Sequence, residues 1–194
     1  MPQLKPPAPG ESFDLDVTAK GTQIKLGEHT YTVDLTGDLR FEISKAPGKN
    51  PAEAVRVAVP RFHLTGTPHS ARSMAAQALP GRITLDKKDA EVNPENLIRL
   101  TTGFPPKLEQ VLFLDLNVTI EDPPQQAQVR TARAEPLVLT TKNPGKLVGQ
   151  LDNFPPEGAP YKLQNPIELV YPDRNEPIAT LDKFPVTVGD LSGE

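Results

Sequence analysis

Three histidines, no cysteine and no tryptophan limit the chemistry open to this 194-residue chain. His63 and His69 stand six residues apart, with Gly66 and Pro68 between them, so two imidazoles could meet across a turn. Zinc or copper would need a third ligand, and no His-x-His, His-x-x-x-His or His-Glu-x-x-His spacing exists. No metal site is therefore expected. His63 reads as a strand residue and His69 as a loop residue. Ser70 and Ser73 lie near His69, but neither Gly-x-Ser-x-Gly nor Ser-x-x-Lys occurs. Asp14 and Asp16 are two apart, so a strand puts them on one face, opposite Phe13, Leu15 and Val17. Neither glycine-rich phosphate loop is present, and no cofactor is expected.

The absent cysteines remove disulfides, thiolate metal sites and cysteine nucleophiles together. A net charge of −4 and a sequence pI near 5.5 argue against nucleic acid, which needs a clustered basic face. The densest basic spot, Lys87-Lys88, is flanked by Asp86 and Asp89. Residues 1–10 lack an apolar leader core, and no run approaches the roughly 18 apolar residues of a membrane helix. A cytoplasmic protein without membrane contact is expected.

The elements that would position these residues are strands. Leu, Ile, Val and Phe make up 50 of 194 residues, enough for a real core. Proline is more than twice its usual share, at 23, yet it is missing from residues 10–46 and 107–122. Those stretches alternate apolar and polar residues with period two. Phe13, Leu15, Val17 and Ala19 form one set, and Tyr31, Val33 and Leu35 another. Leu39, Phe41 and Ile43 follow, and Leu112 to Ile120 gives the most apolar set. Proline cannot donate to a ladder, so the proline-free stretches read as central strands and the prolines as strand ends. The apolar parity slips at Pro60-Arg61, between Val59 and Phe62, which predicts a β-bulge. Residues 69–79 are the one candidate helix, with Thr67 or Ser70 as its cap and Pro80-Gly81 as its stop.

The expected fold is all-β: a single antiparallel β-sandwich over residues 12–190, with roughly ten to twelve short strands and at most one short helix. A closed β-barrel is the alternative. Residues 1–11 read as a flexible proline-rich tail. Val148 to Pro155 repeats as Ile178 to Pro185, with Leu, Asp, Phe and Pro identical. Thr102-Gly103-Phe104-Pro105 echoes the end of that pattern.

Polar residues set into the strongest strands are the candidate binding residues. Arg40 and Glu42 oppose Leu39, Phe41 and Ile43. Arg61 and His63 oppose Phe62 and Leu64, and Asp115 opposes Leu114 and Leu116. In a sandwich this face meets solvent, whereas in a barrel it could line a cavity. The Phe-Pro corners at Phe104, Phe154 and Phe184 are further candidates, as strand exits or as the frame of a ligand mouth. Tyr161 and Tyr171 read as exposed aromatics suited to a protein interface.

Two functions follow. One is a non-catalytic binding or assembly module, with a protein partner or self-association such as a homodimer. The other is a cofactor-independent barrel that holds a small apolar ligand, as a carrier, cyclase or isomerase. A cavity lined by His63, Asp115 or Arg40 would separate them.

Overall fold

A computed structural model describes residues 3–72, 79–88, 93–123 and 135–189. Every element in them is a strand: β1 (Ser12–Leu26), β2 (His29–Lys45), β3 (Ala54–Gly66), β4 (Pro68–Arg72), β5 (Ile83–Lys87), β6 (Leu97–Leu100), β7 (Leu108–Leu114), β8 (Leu116–Ile120), β9 (Leu137–Thr141), β10 (Gly145–Leu151), β11 (Ala159–Leu163), β12 (Ile167–Val170), β13 (Pro177–Lys183) and β14 (Val186–Val188). All fourteen join one antiparallel sheet. The all-β, antiparallel expectation holds.

The pairing returns on itself along two circuits that share β1, β2 and β3. One runs β1–β2–β3–β5–β8–β9–β12–β13 and back to β1. The other runs β1–β2–β3–β6–β7–β10–β11–β14 and back to β1. The long strands serve both because each one bends. β1 gives Val17–Ala19 to β14 and Gln23–Leu26 to β13, with a register shift between Ala19 and Thr22. Gly21 sits in that shift at φ 72°, a backbone state L side chains rarely adopt. Asp34 Oδ1 holds the bend by accepting from Gly21 N at 2.7 Å.

β2 and β3 carry the predicted bulge. Arg40 faces Arg61 and Glu42 faces Ala58, so the β3 strand holds an extra residue between them. Val59 and Phe62 stay buried while Pro60 and Arg61 both point outward. Two adjacent outward residues absorb the parity slip and keep the apolar face of β3 continuous.

Several elements differ from the sequence reading. The sets Tyr31–Leu35 and Leu39–Ile43 belong to one strand, because β2 runs seventeen residues straight through Gly37. The stretch Leu108–Ile120 is two strands broken at Asp115, with β7 in the second circuit and β8 in the first. The buried parity passes through the break unchanged, which is why alternation alone could not show it. The helix expected over 69–79 is contradicted at its start, where β4 pairs with Thr30–Val33 of β2. An open sheet edge captured Pro68–Arg72 more strongly than a weakly capped helix could hold it. Residues 73–78 of that helix lie outside the described residues, as does the run Val129–Arg133, which by its sequence reads as a further strand.

One apolar cluster fills the structure, from Val17 in β1 to Val188 in β14. Near the N-terminus Pro6 and Pro7 are buried, Gly10 N donates to Ile43 O at 2.8 Å, and Ile43 N donates to Glu11 O at 2.9 Å.

Candidate binding cleft at the β3 bulge

The bulge turns Arg61 and His63 onto the outer face of the sheet. Cross-strand register then supplies their partners. His63 faces Asp38 of β2 on one side and Asp86 of β5 on the other. Arg61 takes Asp38 in two contacts, Nε to Oδ2 at 2.7 Å and Nη2 to Oδ1 at 3.1 Å. His63 Nδ1 lies 2.5 Å from Asp86 Oδ1. That contact makes Nδ1 the donor and leaves Nε2 as the acceptor of the neutral ring.

These side chains line an open cleft of about 360 Å³ formed by Pro60, Arg61, Phe62, His63, Asp86 and Lys87. Its volume lies at the small end of ligand sites, roughly 300–1,000 Å³. Phe62 is buried behind it, edge-on to Phe184 with ring centroids 6.4 Å apart. The cleft thus has a rigid aromatic backing and a charged front. Both ion pairs remain partly in water, with side-chain exposures of 64% and 36% for Arg61 and Asp38 and 40% and 50% for His63 and Asp86. Pairs that exposed contribute little to stability. Their effect is to fix the direction of a guanidinium and an imidazole.

The other expected residues lie elsewhere. Arg40 is the direct cross-strand neighbour of Arg61, a like-charge pairing that each arginine offsets with its own carboxylates. Arg40 Nη1 meets Asp14 Oδ2 at 2.8 Å and Nε meets Glu42 Oε1 at 3.3 Å. The bonds to Asp14 and then Glu42 raise the Arg40 pKa. Asp115 does not join His63. Its Oδ1 accepts from the Thr141 hydroxyl at 2.9 Å and its carbonyl accepts from Lys88 N at 2.9 Å, so it fastens the β7–β8 break. The three Phe-Pro corners have three environments. Phe104 is fully exposed, Phe154 packs on Phe13 and Phe41, and Phe184 is buried behind the cleft. They do not frame one mouth.

Tyr161 corrects the sequence reading outright. It is 2% exposed and faces inward from β11. Gly149 lies opposite it in the ladder, and a Cβ there would sit 2.6 Å from the ring. The hydroxyl donates to Gln110 Oε1 on β7, two strands away, in a short contact. Burial raises the Tyr161 pKa well above the ordinary tyrosine value. Tyr31 is also buried and raised by desolvation, with no hydrogen-bond partner for its hydroxyl among the described residues. Sequence reasoning missed Gln110, although it shares the parity of Leu108 and Leu112. It also missed Asn96, whose Oδ1 accepts from Phe113 N at 2.6 Å.

Among the described residues no group of three or more histidine, cysteine or acidic side chains could hold a metal ion. Nor is any helix long and apolar enough to cross a membrane. No protein-family model matches the sequence, and no curated protein matches it. A solved structure does. It is that of DynF from the dynemicin biosynthesis pathway of Micromonospora chersina, with a TM-score of 0.65 at 20% identity. The match covers 95% of this chain and 82% of DynF. The chain shares the fold of DynF. At this identity the likeness to DynF extends to the fold alone.

Proposed function

We propose that the protein is a non-catalytic binding module for a small molecule, and that its ligand lies in the cleft at the β3 bulge. The observation that carries this reading is that Arg61 and His63 line one cleft. Both are aimed by carboxylates, Asp38 and Asp86, that stand beside them in the sheet. Asp38 occupies two of the five guanidinium donors of Arg61, so the arginine can hold the carboxylate and an incoming anion together. A small molecule bearing a carboxylate or phosphate suits those donors. DynF comes from the dynemicin biosynthesis pathway, which supports ligand binding as the role of this fold.

Titration calorimetry with benzoate and phenyl phosphate tests it. Arg61→Gln should weaken binding about tenfold, equivalent to about 1.4 kcal/mol. Glu42→Gln, on the same outer face but beyond the cleft, should leave it unchanged. Equal affinities in both variants would remove the cleft as the site.

A second reading, assembly with a protein partner, is favoured by Phe104. Its side chain is fully exposed at a tip where Pro105 and Pro106 are exposed as well. Sedimentation analysis of Phe104→Ser against the unaltered chain tests it: a lost oligomer supports the tip as an interface.

A further inference from the structure

Arg61 and His63 are two residues apart on β3, so their side chains stand on one face of the sheet. Their Cα atoms lie about 6.5 Å apart on an extended strand, within reach of one small molecule. Each side chain is turned by its own carboxylate and keeps one edge open. Arg61 gives Nε and Nη2 to Asp38, which uses the side-on edge of the guanidinium. The end-on edge, Nη1 with the second Nη2 hydrogen, takes no part in that contact and matches two oxygens of an anion. His63 gives Nδ1 to Asp86. The neutral ring then carries a lone pair and no hydrogen on Nε2. That nitrogen has no partner among the described residues, and the side chain keeps 40% of its surface exposed at the cleft.

The two open edges are of opposite kind. The guanidinium only donates, and the imidazole nitrogen only accepts. An ionised carboxylate satisfies the first and brings no hydrogen to the second. A diacid fares worse, because its second carboxylate would stand against Asp86 at the far side of the ring. A neutral hydroxyl beside the carboxylate meets both demands without adding charge. Pro60, exposed at the end of the same cleft, supplies apolar surface for the rest of the molecule. We propose that the cleft selects a hydroxy acid. Arg61 holds the carboxylate end-on, and His63 Nε2 accepts from the hydroxyl on the neighbouring carbon. Asp86 acts as a positioning residue, since its bond to Nδ1 is what leaves Nε2 free to accept. The selection rests on the cleft being the ligand site, and it adds the class of molecule.

The test compares mandelate, its O-methyl ether and phenylacetate, with both enantiomers of the first two. All share a carboxylate and a phenyl ring, and they differ only in carrying hydroxyl, methoxyl or hydrogen on the neighbouring carbon. Calorimetric titration is run at pH 8.5, above the range in which histidine ordinarily titrates. One enantiomer of mandelate should bind at least about threefold tighter than phenylacetate, as one added hydrogen bond allows. The ether should bind no tighter than phenylacetate, because it keeps the oxygen and loses the hydrogen. His63→Phe should erase the mandelate preference and leave phenylacetate affinity unchanged. A smaller preference, or an ether that matches mandelate, would overturn the selection. If Arg61→Gln then still weakens all three, the cleft stands as an anion site without it. No saturable binding of any of the three would overturn the selection and the cleft together. The ligand series is read on the unaltered protein, so it decides even if His63→Phe fails to fold.

Discussion

Gly149 stands directly opposite Tyr161 in the β10–β11 ladder, and the tyrosine ring occupies the space a side chain at 149 would fill. The backbone at Gly149 needs no left-handed conformation, so it is proximity that demands glycine there. Gly149→Ala should destabilise by about 1–3 kcal/mol, the usual cost of overpacking a core. In a double-mutant cycle with Tyr161→Phe the two effects should be non-additive, because both act through the placement of one ring. Chemical denaturation of the four proteins measures this.

Gly37 should be less tolerant still. It pairs with Leu64 in the β2–β3 ladder, and a Cβ there would run into the His63 carbonyl oxygen. A side chain can swing aside, whereas a ladder carbonyl cannot without breaking its strand. Gly37→Ala is expected to cost about 3 kcal/mol or more and to exceed Gly149→Ala in the same denaturation series.

Tyr161 should impose an alkaline limit on stability. Burial raises its folded-state pKa, so the unfolded chain loses its proton first as pH climbs past about 10. The unfolded state is then favoured, and the contribution of Tyr161 declines with pH at up to about 1.4 kcal/mol per pH unit. Tyr31, raised in the same direction, adds to the slope. Tyr161→Phe should flatten the fall in stability between pH 9.5 and 11 relative to the unaltered chain. An unchanged slope would show that the buried phenol does not govern it.

Much of this architecture is legible in the residues, and the misses share a cause. Period-two alternation marks which face of a strand is buried, so Val17, Leu39, Phe41, Leu85 and Val118 all fall inward as their neighbours imply. The slip at Pro60-Arg61 reports the bulge because parity changes there. Asp115 breaks a strand without changing parity, so the sequence around it is silent about the exchange from one circuit to the other. Arg61 and His63 come together because they are two apart on one strand. Their partners Asp38 and Asp86 arrive by cross-strand register, which no local spacing encodes. Tyr161 follows a proline in a short segment with weak alternation, and its burial depends on a glycine twelve residues earlier.

Asp86 should govern the tautomer of His63. With Asp86 in place the neutral ring carries its proton on Nδ1. Asp86→Ala should give a mixture of tautomers, visible in long-range proton–nitrogen correlation spectra of the imidazole. Stability should change by less than about 1 kcal/mol, because the pair is half exposed.

The cleft itself is tested most directly by titrating the nitrogen-labelled protein with phenyl phosphate and following backbone amide shifts. Saturable shifts concentrated at Arg61, Phe62, His63, Asp86 and Lys87 are expected. Shifts that stay linear with ligand, or that saturate on a different part of the sheet, would contradict a binding site at the β3 bulge.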